Sequence, residues 1–356
     1  MKKLVAIILA STMIFTLAAC NSSSTTTQSQ SSSSTTQTSD QTQASGDQII
    51  ITFANGQAED HAINQSFQKF IDTIEEKSNG EMTGIIYPNG QLGSDSAVME
   101  SVKDGSIVMT WCTGASQVSL VPELAIFDIP FLFSDIDTAN RVINDAEFMS
   151  FLNQAYEKSG FKNAGFEATG YRWLTANKSI TTIDDLKGLK LRTMENAYHI
   201  AFWKALGTTP TPISNSELYA ALQQGTVDAQ ENSVENSYRR KTYEVQDTFI
   251  NSLHIIYTSS FPVNLEFYNS LSDEHKAIFD EAMEICLAES SANVIENEVE
   301  ILKDLESMGI NVIYSLEEGE HEKWANLAMP AAETLIRKEL GDEPVDMLLN
   351  AVGKYK

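Results

Sequence analysis

Positive charge is scarce in this sequence. Its 356 residues include 24 Lys and Arg against 49 Asp and Glu, a formal net charge of −25. A surface that binds nucleic acid needs clustered Lys and Arg to displace counterions, so a nucleic-acid partner is excluded. The same deficit argues against a protein held on anionic lipid by charge alone. An anionic small-molecule ligand remains open, because a cleft can differ in sign from the surface around it.

Cysteine is also rare. The three residues are Cys20, Cys112 and Cys286, and the last two lie far apart in the sequence. Two cysteines in a chain of this length are no disulfide framework, although an extracytoplasmic compartment would permit a bond. We therefore favour buried free thiols at Cys112 and Cys286 over a disulfide.

The usual catalytic signatures are missing from the sequence. It contains no glycine-rich phosphate loop, HExxH, CxxC or GxSxG motif, and its five histidines have no metal-ligand spacing. Glu231 and Glu235 stand four residues apart near a predicted helix start and resemble a carboxylate pair. Helix N-termini favour acidic residues in any case, and that explanation is preferred. We expect no enzyme, no metal and no cofactor.

The first 47 residues predict an export signal followed by a linker. Lys2 and Lys3 precede an apolar run from Leu4 to Leu17, too short to span a bilayer, and Leu-Ala-Ala then leads into Cys20. That sequence resembles a bacterial lipobox, which predicts a signal peptide over residues 1–19 and diacylation of Cys20; two acyl chains suffice for stable anchoring. Residues 21–47 are almost all Ser, Thr and Gln, a composition typical of a flexible spacer. This leader contains two Lys and two Asp, so the remaining chain keeps the full charge of −25.

The remaining chain predicts an α/β fold in which helices alternate with short strands. Its first part has βαβαβ order, which indicates a largely parallel sheet, and the apolar segment 127–133 is expected to be a buried loop. Ser272 predicts the N-cap of a helix that runs to Met308 and ends at Gly309. A helix of that length suggests a bridge between two lobes. The predicted strands are 48–53, 82–87, 106–111, 163–169, 190–193, 227–229 and 254–257, and the other helices are 60–78, 96–103, 137–159, 194–206, 216–224, 233–245 and 316–339.

Two arginines stand in otherwise apolar strand segments. Arg172 lies in Gly-Tyr-Arg-Trp-Leu, and Arg192 ends Leu-Lys-Leu-Arg, where alternation places it on the face opposite Leu189 and Leu191. The planar guanidinium can bind a carboxylate with two parallel hydrogen bonds. From the residues alone, pairing of each arginine with one of the many acidic side chains is the preferred explanation.

Six motifs in a fixed order carry a family resemblance. They are Gln-Leu-Gly at 91–93, Pro-Phe-Leu-Phe at 130–133, Leu-Lys-Gly-Leu-Lys-Leu-Arg at 186–192, Pro-Thr-Pro at 210–212 with Glu-Leu-Tyr at 217–219, the segment 221–232 ending Val-Asp-Ala-Gln-Glu-Asn, and Tyr-Glu-Val-Gln at 243–246. This pattern resembles the solute-binding proteins of tripartite ATP-independent periplasmic (TRAP) transporters. The resemblance is strong from about residue 49 to 257 and continues to the C-terminus in helix layout.

The resemblance implies a two-lobed periplasmic-binding-protein-like fold, with hinge strands and a long helix spanning both lobes. Lobe I would comprise residues 48–169 plus about 258–300, and lobe II residues 170–257 plus about 301–356. It also implies that Arg192 clamps the ligand carboxylate, that Arg172 gives a second cationic contact, and that Asn232 faces the same group.

Several positions bear on which acid would bind. The sialic-acid branch of the family has a Glu and an Arg within the stretch equivalent to 111–116, where this chain has Trp-Cys-Thr-Gly-Ala-Ser, so sialic acid is disfavoured. Ala229 replaces the commoner glycine of the Val-Asp-Gly-Gln-Glu-Asn pattern. The segment 192–196 resembles a branch associated with sugar acids, and a uronate is the leading candidate. Further candidate ligand contacts are Asn55, His61 and Trp111, although His61 could equally cap its helix.

These observations predict an extracytoplasmic lipoprotein on the outer face of the cell membrane. It would be a monomer that captures a small organic acid and delivers it to integral-membrane TRAP permease subunits. A ligand-sensing lipoprotein that presents its solute to a receptor kinase uses the same lobe closure and stays open as an alternative. A secreted enzyme on this scaffold is disfavoured.

Overall fold

The computed structural model describes residues 48–355, apart from the side chains at positions 294 and 295. The predicted signal peptide, Cys20 and the linker therefore lie outside the described residues. The described residues form one compact unit. Within the described chain, no helix is long and apolar enough to span a bilayer.

The described residues form twelve strands. They are β1 (Ile49–Ala54), β2 (Met82–Tyr87), β3 (Met109–Thr110), β4 (Cys112–Thr113), β5 (Phe161–Tyr171), β6 (Trp173–Ala176), β7 (Lys190–Thr193), β8 (Thr209–Pro212), β9 (Ala229–Asn232), β10 (Thr248–Ile250), β11 (Ile256–Asn264) and β12 (Asn311–Ile313).

The described residues also form twelve α-helices. They are α1 (Ala62–Lys77), α2 (Asp95–Lys103), α3 (Gly114–Gln117), α4 (Ile136–Ile143), α5 (Ala146–Lys158), α6 (Ala197–Ala205), α7 (Leu218–Gln223), α8 (Val234–Arg239), α9 (Leu265–Ser270), α10 (Asp273–Ser307), α11 (Glu320–Leu340) and α12 (Asp342–Tyr355). The segment Pro122–Asp128 is a 3-10 helix, so the expected buried loop begins inside a helical turn, and residues 127–130 are buried as expected.

The strands assemble into two sheets, each the centre of one lobe. The first has the order β2-β1-β3-β11-β4, with β5 paired to β11, and the second has the order β12-β10-β6-β9-β7-β8. Strands β1, β2 and β3 are parallel, as the βαβαβ order predicts. The prediction of a largely parallel sheet is nevertheless wrong, because β11 runs antiparallel to β3, β4 and β5. This strand returns from the second sheet, a reversal that local periodicity does not encode.

Two chain segments cross between the sheets, and they are hydrogen-bonded to each other. Strand β5 of the first sheet continues through Arg172 into β6 of the second, and the stretch between β10 and β11 crosses back. The backbone N–H of Arg172 donates to the carbonyl of Ile255 at 3.0 Å, which joins the two crossings. These are the hinge strands expected of a two-lobed fold.

Helix α10 is the long helix that the sequence predicts. Ser272 is its N-cap, with a hydroxyl that accepts from the backbone N–H of His275, and Gly309 follows it in a left-handed conformation at φ 87°. Its 35 residues are long enough to run about 50 Å. It packs on α1 and β5 beside the first sheet and on α8 and β12 beside the second, so it spans both lobes.

Other predicted elements have different bounds in the structure. The single helix expected over 137–159 is two helices, because Asp145 accepts from the backbone N–H groups of Glu147 and Phe148 and so begins α5. The strand expected over 106–111 is reduced to β3, and the one expected over 227–229 begins at Ala229. Cys112 and Cys286 are buried free thiols, as favoured above, and burial raises the pKa of both.

Candidate ligand-binding cleft

A cleft of about 510 Å³ lies where elements of the two sheets approach each other. Thr113 and Tyr257 reach it from strands of the first sheet, and Arg192 and Asn232 reach it from strands of the second. Most of its lining is amide, hydroxyl or charged. The complete lining is Gln57, Ser94, Asp95, Ser96, Thr113, Ser116, Arg172, Arg192, Met194, Glu195, Ile213, Ser214, Asn215, Asn232, Asn236 and Tyr257.

Arg192 is a buried cation that makes no direct ion pair with any described residue, although Glu231 and Asp95 lie near enough to raise its pKa. Parallel pairing of β7 with β8 and β9 fixes its backbone, and its side chain is only 1% exposed. Its Nε donates to the carbonyl of Ile213 at 2.7 Å, whereas its Nη1 is buried with no hydrogen-bond partner. Among the described residues no carboxylate lies within 4.0 Å of the guanidinium. Burial lowers its pKa to about 10, so Arg192 stays charged at neutral pH.

Arg172 is buried beside the cleft in an ion pair with Glu231. Its Nε donates to one carboxylate oxygen of Glu231, and its Nη2 donates to the other at 3.2 Å and to the Glu231 carbonyl at 2.7 Å. Its Nη1 remains buried without a partner. Antiparallel pairing of Leu174 with Glu231 brings the pair together across 59 residues of sequence. The guanidinium also lies over the ring of Tyr257, 5.4 Å from the centroid.

The Glu231 carboxylate is held ionised by Arg172 and by the rings of His199 and His254. Burial alone would raise the pKa of Glu231, but Arg172 and the rings of His199 and His254 outweigh it and hold that pKa well below its usual range. His254 Nε2 lies 3.3 Å from this carboxylate, and His199 Nε2 lies 3.0 Å from a carboxylate oxygen of Asp128. The helix-start explanation of Glu231 is therefore wrong: this residue is on strand β9 and neutralises Arg172. Arg172 thus has the acidic partner that the residues alone favour, and Arg192 does not.

Asn232 and Asp95 contribute polar groups to opposite walls of the cleft. The side-chain oxygen of Asn232 accepts from the backbone N–H of Ser233 at 3.0 Å, and the residue is 3% exposed. Asp95 begins α2, and burial raises its pKa despite Arg240, Ser116 and Arg192 nearby. The cleft therefore has a cation without a direct ion pair at Arg192 and a carboxylate acceptor in another part of its wall.

Three of the six predicted contacts line the cleft, and three do not. Arg192, Arg172 and Asn232 line it. The side chain of Asn55 donates to Asn64 at 2.8 Å and accepts from the backbone N–H of Gln57 at 2.9 Å.

His61 and Trp111 are likewise engaged away from the cleft. His61 is the N-cap of α1, and its Nδ1 accepts from the backbone N–H of Ile63 at 3.2 Å, which is the capping role left open above. The indole of Trp111 donates to Glu167 at 3.1 Å.

Several cleft residues escaped the sequence reasoning. Asp95 lies two residues after the Gln-Leu-Gly motif, yet an acid at the start of a helix needs no ligand to explain it. The side-chain amide of Asn236 on α8 donates to the side chain of Gln57, in the loop after β1, at 2.6 Å. No group of three or more His, Cys, Asp or Glu residues in the described chain has the arrangement of a metal site.

Comparison with known proteins agrees with this architecture. The profile of the family described as bacterial extracellular solute-binding protein, family 7, matches residues 53–339. The sialic acid-binding periplasmic protein SiaP of Vibrio cholerae is 30% identical over 249 residues, which cover 70% of this chain and 78% of that protein.

Two solved structures show the same fold. The sugar acid binding protein of Advenella mimigardefordensis in complex with galactonate superposes with a TM-score of 0.82 at 29% identity, covering 87% of this chain and 99% of that one. A TRAP periplasmic solute-binding protein of Haemophilus influenzae with bound L-gulonate superposes at 0.80 with 25% identity, covering 87% and 100%. The chain therefore belongs to family 7 of the bacterial extracellular solute-binding proteins, the solute-binding proteins of TRAP transporters.

Proposed function

We propose that this protein captures a sugar acid, with a uronate as the leading candidate, and delivers it to a TRAP permease. One observation carries the proposal: Arg192 is a buried guanidinium with an unpartnered Nη1 and no carboxylate within 4.0 Å among the described residues. A buried charge without a partner is strongly unfavourable, so the site is complete only with an anion. A ligand carboxylate would supply that anion.

Three side chains would hold the ligand carboxylate. Arg192 would bind it through its planar guanidinium, which suits a carboxylate better than the compact ammonium of lysine. Arg172 would add a hydrogen bond from its free Nη1, while Glu231 keeps most of its charge neutralised. Asn232 would donate from its side-chain amide. We assign no ligand contact to Asn55, His61 or Trp111, because their polar groups are engaged elsewhere.

The rest of the lining favours a hydroxylated ligand over a dicarboxylate. Asp95 can accept hydrogen bonds from hydroxyl groups, but it would repel a second carboxylate. The amides of Gln57, Asn215 and Asn236 can both donate and accept, as hydroxyl recognition requires. The relatives whose structures contain galactonate and L-gulonate support the class of sugar acid.

Capture would couple to closure of the two lobes. A ligand that touches Arg192 on one lobe and Thr113 on the other makes both contacts only in the closed state, so binding shifts the population toward closure. We place lobe I at residues 48–169 plus about 258–300 and lobe II at residues 170–257 plus about 301–356. The neighbouring strands β5–β6 and β10–β11 would carry the hinge.

The proposed setting is the outer face of the cell membrane. The apolar run before Cys20 and the Ser, Thr and Gln linker after it support export and lipid anchoring. The protein would act as a monomeric, non-enzymatic carrier, and the permease subunits would be its partner. Radiolabelled fatty acid should be incorporated into the protein of the parent strain but not into Cys20→Ser, which should leave the membrane fraction; equal labelling and equal membrane retention of the two would overturn the anchor.

A thermal-shift screen tests the proposed ligand class. Hexuronates, aldonates, dicarboxylates and 2-keto acids would be added separately to the purified protein. A ligand at 100 times its Kd adds about 2.7 kcal/mol of stability, so a true ligand stands out clearly. We expect hexuronates or aldonates to raise Tm and dicarboxylates to have little effect. Shifts confined to uncharged sugars or amino acids would overturn the proposal.

Calorimetry on two variants tests the role of Arg192. We expect Arg192→Ala to weaken binding of the best acid by about 2–5 kcal/mol, because the ligand carboxylate loses its main partner in a desolvated site. Arg192→Lys should also bind poorly, since a point charge does not reproduce the planar guanidinium. The matched control is Lys190→Ala on the same strand, whose side chain is exposed and makes its nearest ion pair with Asp228 at 3.9 Å. Wild-type affinity in Arg192→Ala would refute the assignment.

A further inference from the structure

The N-terminus of helix α1 lacks an acidic residue of its own. No acid stands in its first turn, whereas α2, α4, α5 and α10 each carry one or more there. The first backbone N–H groups of a helix need acceptors, and the helix dipole favours a negative charge beside them. His61 supplies one acceptor, for the N–H of Ile63, but it is not an anion.

Glu235 supplies the missing anion from the opposite lobe. This residue lies in the first turn of α8, which follows β9 of the second sheet, whereas α1 follows β1 of the first sheet. One oxygen of Glu235 accepts from the backbone N–H of Ala62 at 3.1 Å, across 173 residues of sequence. The other lies 3.6 Å from Nε2 of His61. Glu235 is 2% exposed, so this contact is made away from water.

Further contacts join the same two segments. Asn236 donates from its side chain to Gln57 at 2.6 Å, and Arg239 forms an ion pair with Asp60 at 3.2 Å. Asn297 of the long helix α10 donates to the same Glu235 oxygen at 3.4 Å. Each of these groups belongs to the protein, so all the contacts are available without a ligand.

We propose that Glu235, Asn236 and Arg239 of α8 and the loop 56–62 form an interlobe latch that stabilises the closed lobes in the absence of ligand. The proposal rests on the lobe closure of the proposed function but not on any particular ligand. When the lobes separate, the hydrogen bond from the Ala62 N–H to the Glu235 carboxylate breaks, and each group is hydrated by water instead. The latch therefore sets the fraction of ligand-free molecules that are already closed. A larger closed fraction strengthens the apparent affinity for any ligand of the closed state.

Distances between the lobes in the ligand-free protein test the latch. Spin labels would be attached at Glu76→Cys on α1 and Lys204→Cys on α6, both exposed positions, in a chain that carries Cys20→Ser. Cys112 and Cys286 are fully buried, so only the introduced thiols should react. Pulsed electron paramagnetic resonance then gives the ratio of closed to open molecules.

We expect Glu235→Gln to lower this ratio about fivefold to tenfold, because the N-terminus of α1 loses an anion in a buried position. The matched control is Glu59→Gln, which also removes one negative charge but does so in the loop 56–62. Its side chain is exposed and, among the described residues, makes no hydrogen bond to the other lobe. The control should leave the ratio unchanged. Asp60→Asn is a second, more exposed variant, which should lower the ratio about twofold by breaking the ion pair with Arg239.

The outcomes separate the latch from the ligand assignment. Two populations whose ratio is the same in Glu235→Gln, Asp60→Asn and wild type would overturn the latch alone. A single, unchanging distance in every variant would contradict the closure on which both proposals rest. If D-galacturonate fails to shift the distances but Glu235→Gln still opens the ligand-free protein, the latch stands and the uronate assignment fails.

Discussion

The two cleft arginines should respond oppositely when each is replaced by methionine, which keeps most of the side-chain volume. Arg192 has no carboxylate within 4.0 Å among the described residues, so Arg192→Met removes a buried charge that only the more distant Glu231 and Asp95 attract, together with one hydrogen bond to the Ile213 carbonyl. Arg172→Met leaves the fully buried Glu231 carboxylate without its main cation. The sequence treats the two residues alike, and only their partners distinguish them.

The expected magnitudes follow from those partners. Losing one member of a buried ion pair costs about 3–5 kcal/mol, which we expect for Arg172→Met in the ligand-free protein. Replacing a buried ion pair with apolar side chains of similar volume can stabilise by about 1–4 kcal/mol, and we expect a gain in that range at Arg192 because its removal breaks no direct ion pair. The lost hydrogen bond of Arg192 offsets roughly 1 kcal/mol of that gain. We therefore expect Arg192→Met to lie between no change and a stabilisation of about 3 kcal/mol.

Urea unfolding of the ligand-free variants at pH 7 provides the assay. The midpoint should fall for Arg172→Met and should stay or rise for Arg192→Met, with the slope of the transition unchanged. Both variants should lose affinity for the sugar acid. Only Arg192→Met should do so without a loss of stability. Equal destabilisation by the two substitutions would refute the reasoning, because it would mean that Arg192 is as well compensated as Arg172.

Three further predictions follow from the same residues and charges. Asp95→Asn should improve binding of dicarboxylates relative to uronates, since it removes the repelling carboxylate; an unchanged ratio of Kd values would contradict this. Because the pKa of Glu231 is depressed in the folded protein, this carboxylate contributes to stability above about pH 4.5, and the contribution is lost as pH falls. The difference in free energy of unfolding between wild type and Glu231→Gln should therefore shrink below that pH, by up to about 1.4 kcal/mol per pH unit. A difference that grows there would be inconsistent with this. A net charge of −25 should slow the approach of an anion, so the stopped-flow association rate should rise with added salt, and a falling rate would count against it.

The parts of the fold that local chemistry specifies were predictable. Helix α10 begins at its Ser272 cap and ends before Gly309, as those two residues indicate. Strands β2 and β7 have the predicted bounds. The division between α4 and α5 was missed because the apolar spacing continues across it. The carboxylate of Asp145 nevertheless caps the N-terminus of α5 and so begins a new helix.

The cleft was only partly predictable, for a different reason. An arginine at the end of an apolar strand already points to a special role, and Arg192 is among the largest fully buried side chains in the described chain. The pairing of Arg172 with Glu231 depends on the register of β6 against β9, which no local pattern reveals. Asn55 lies in the expected loop after β1, yet its side chain turns toward Asn64 and away from the cleft.

The most direct measurement compares a sugar acid with its neutral counterpart in one calorimeter. The purified protein would be titrated with D-galacturonate, or with whichever sugar acid gives the largest thermal shift, and then with the corresponding uncharged sugar. If a ligand carboxylate completes the buried Arg192 site, the acid should bind at least about 30-fold more tightly, since a lost buried charge pair costs about 2–5 kcal/mol. Equal affinity for the acid and the neutral sugar would contradict the account.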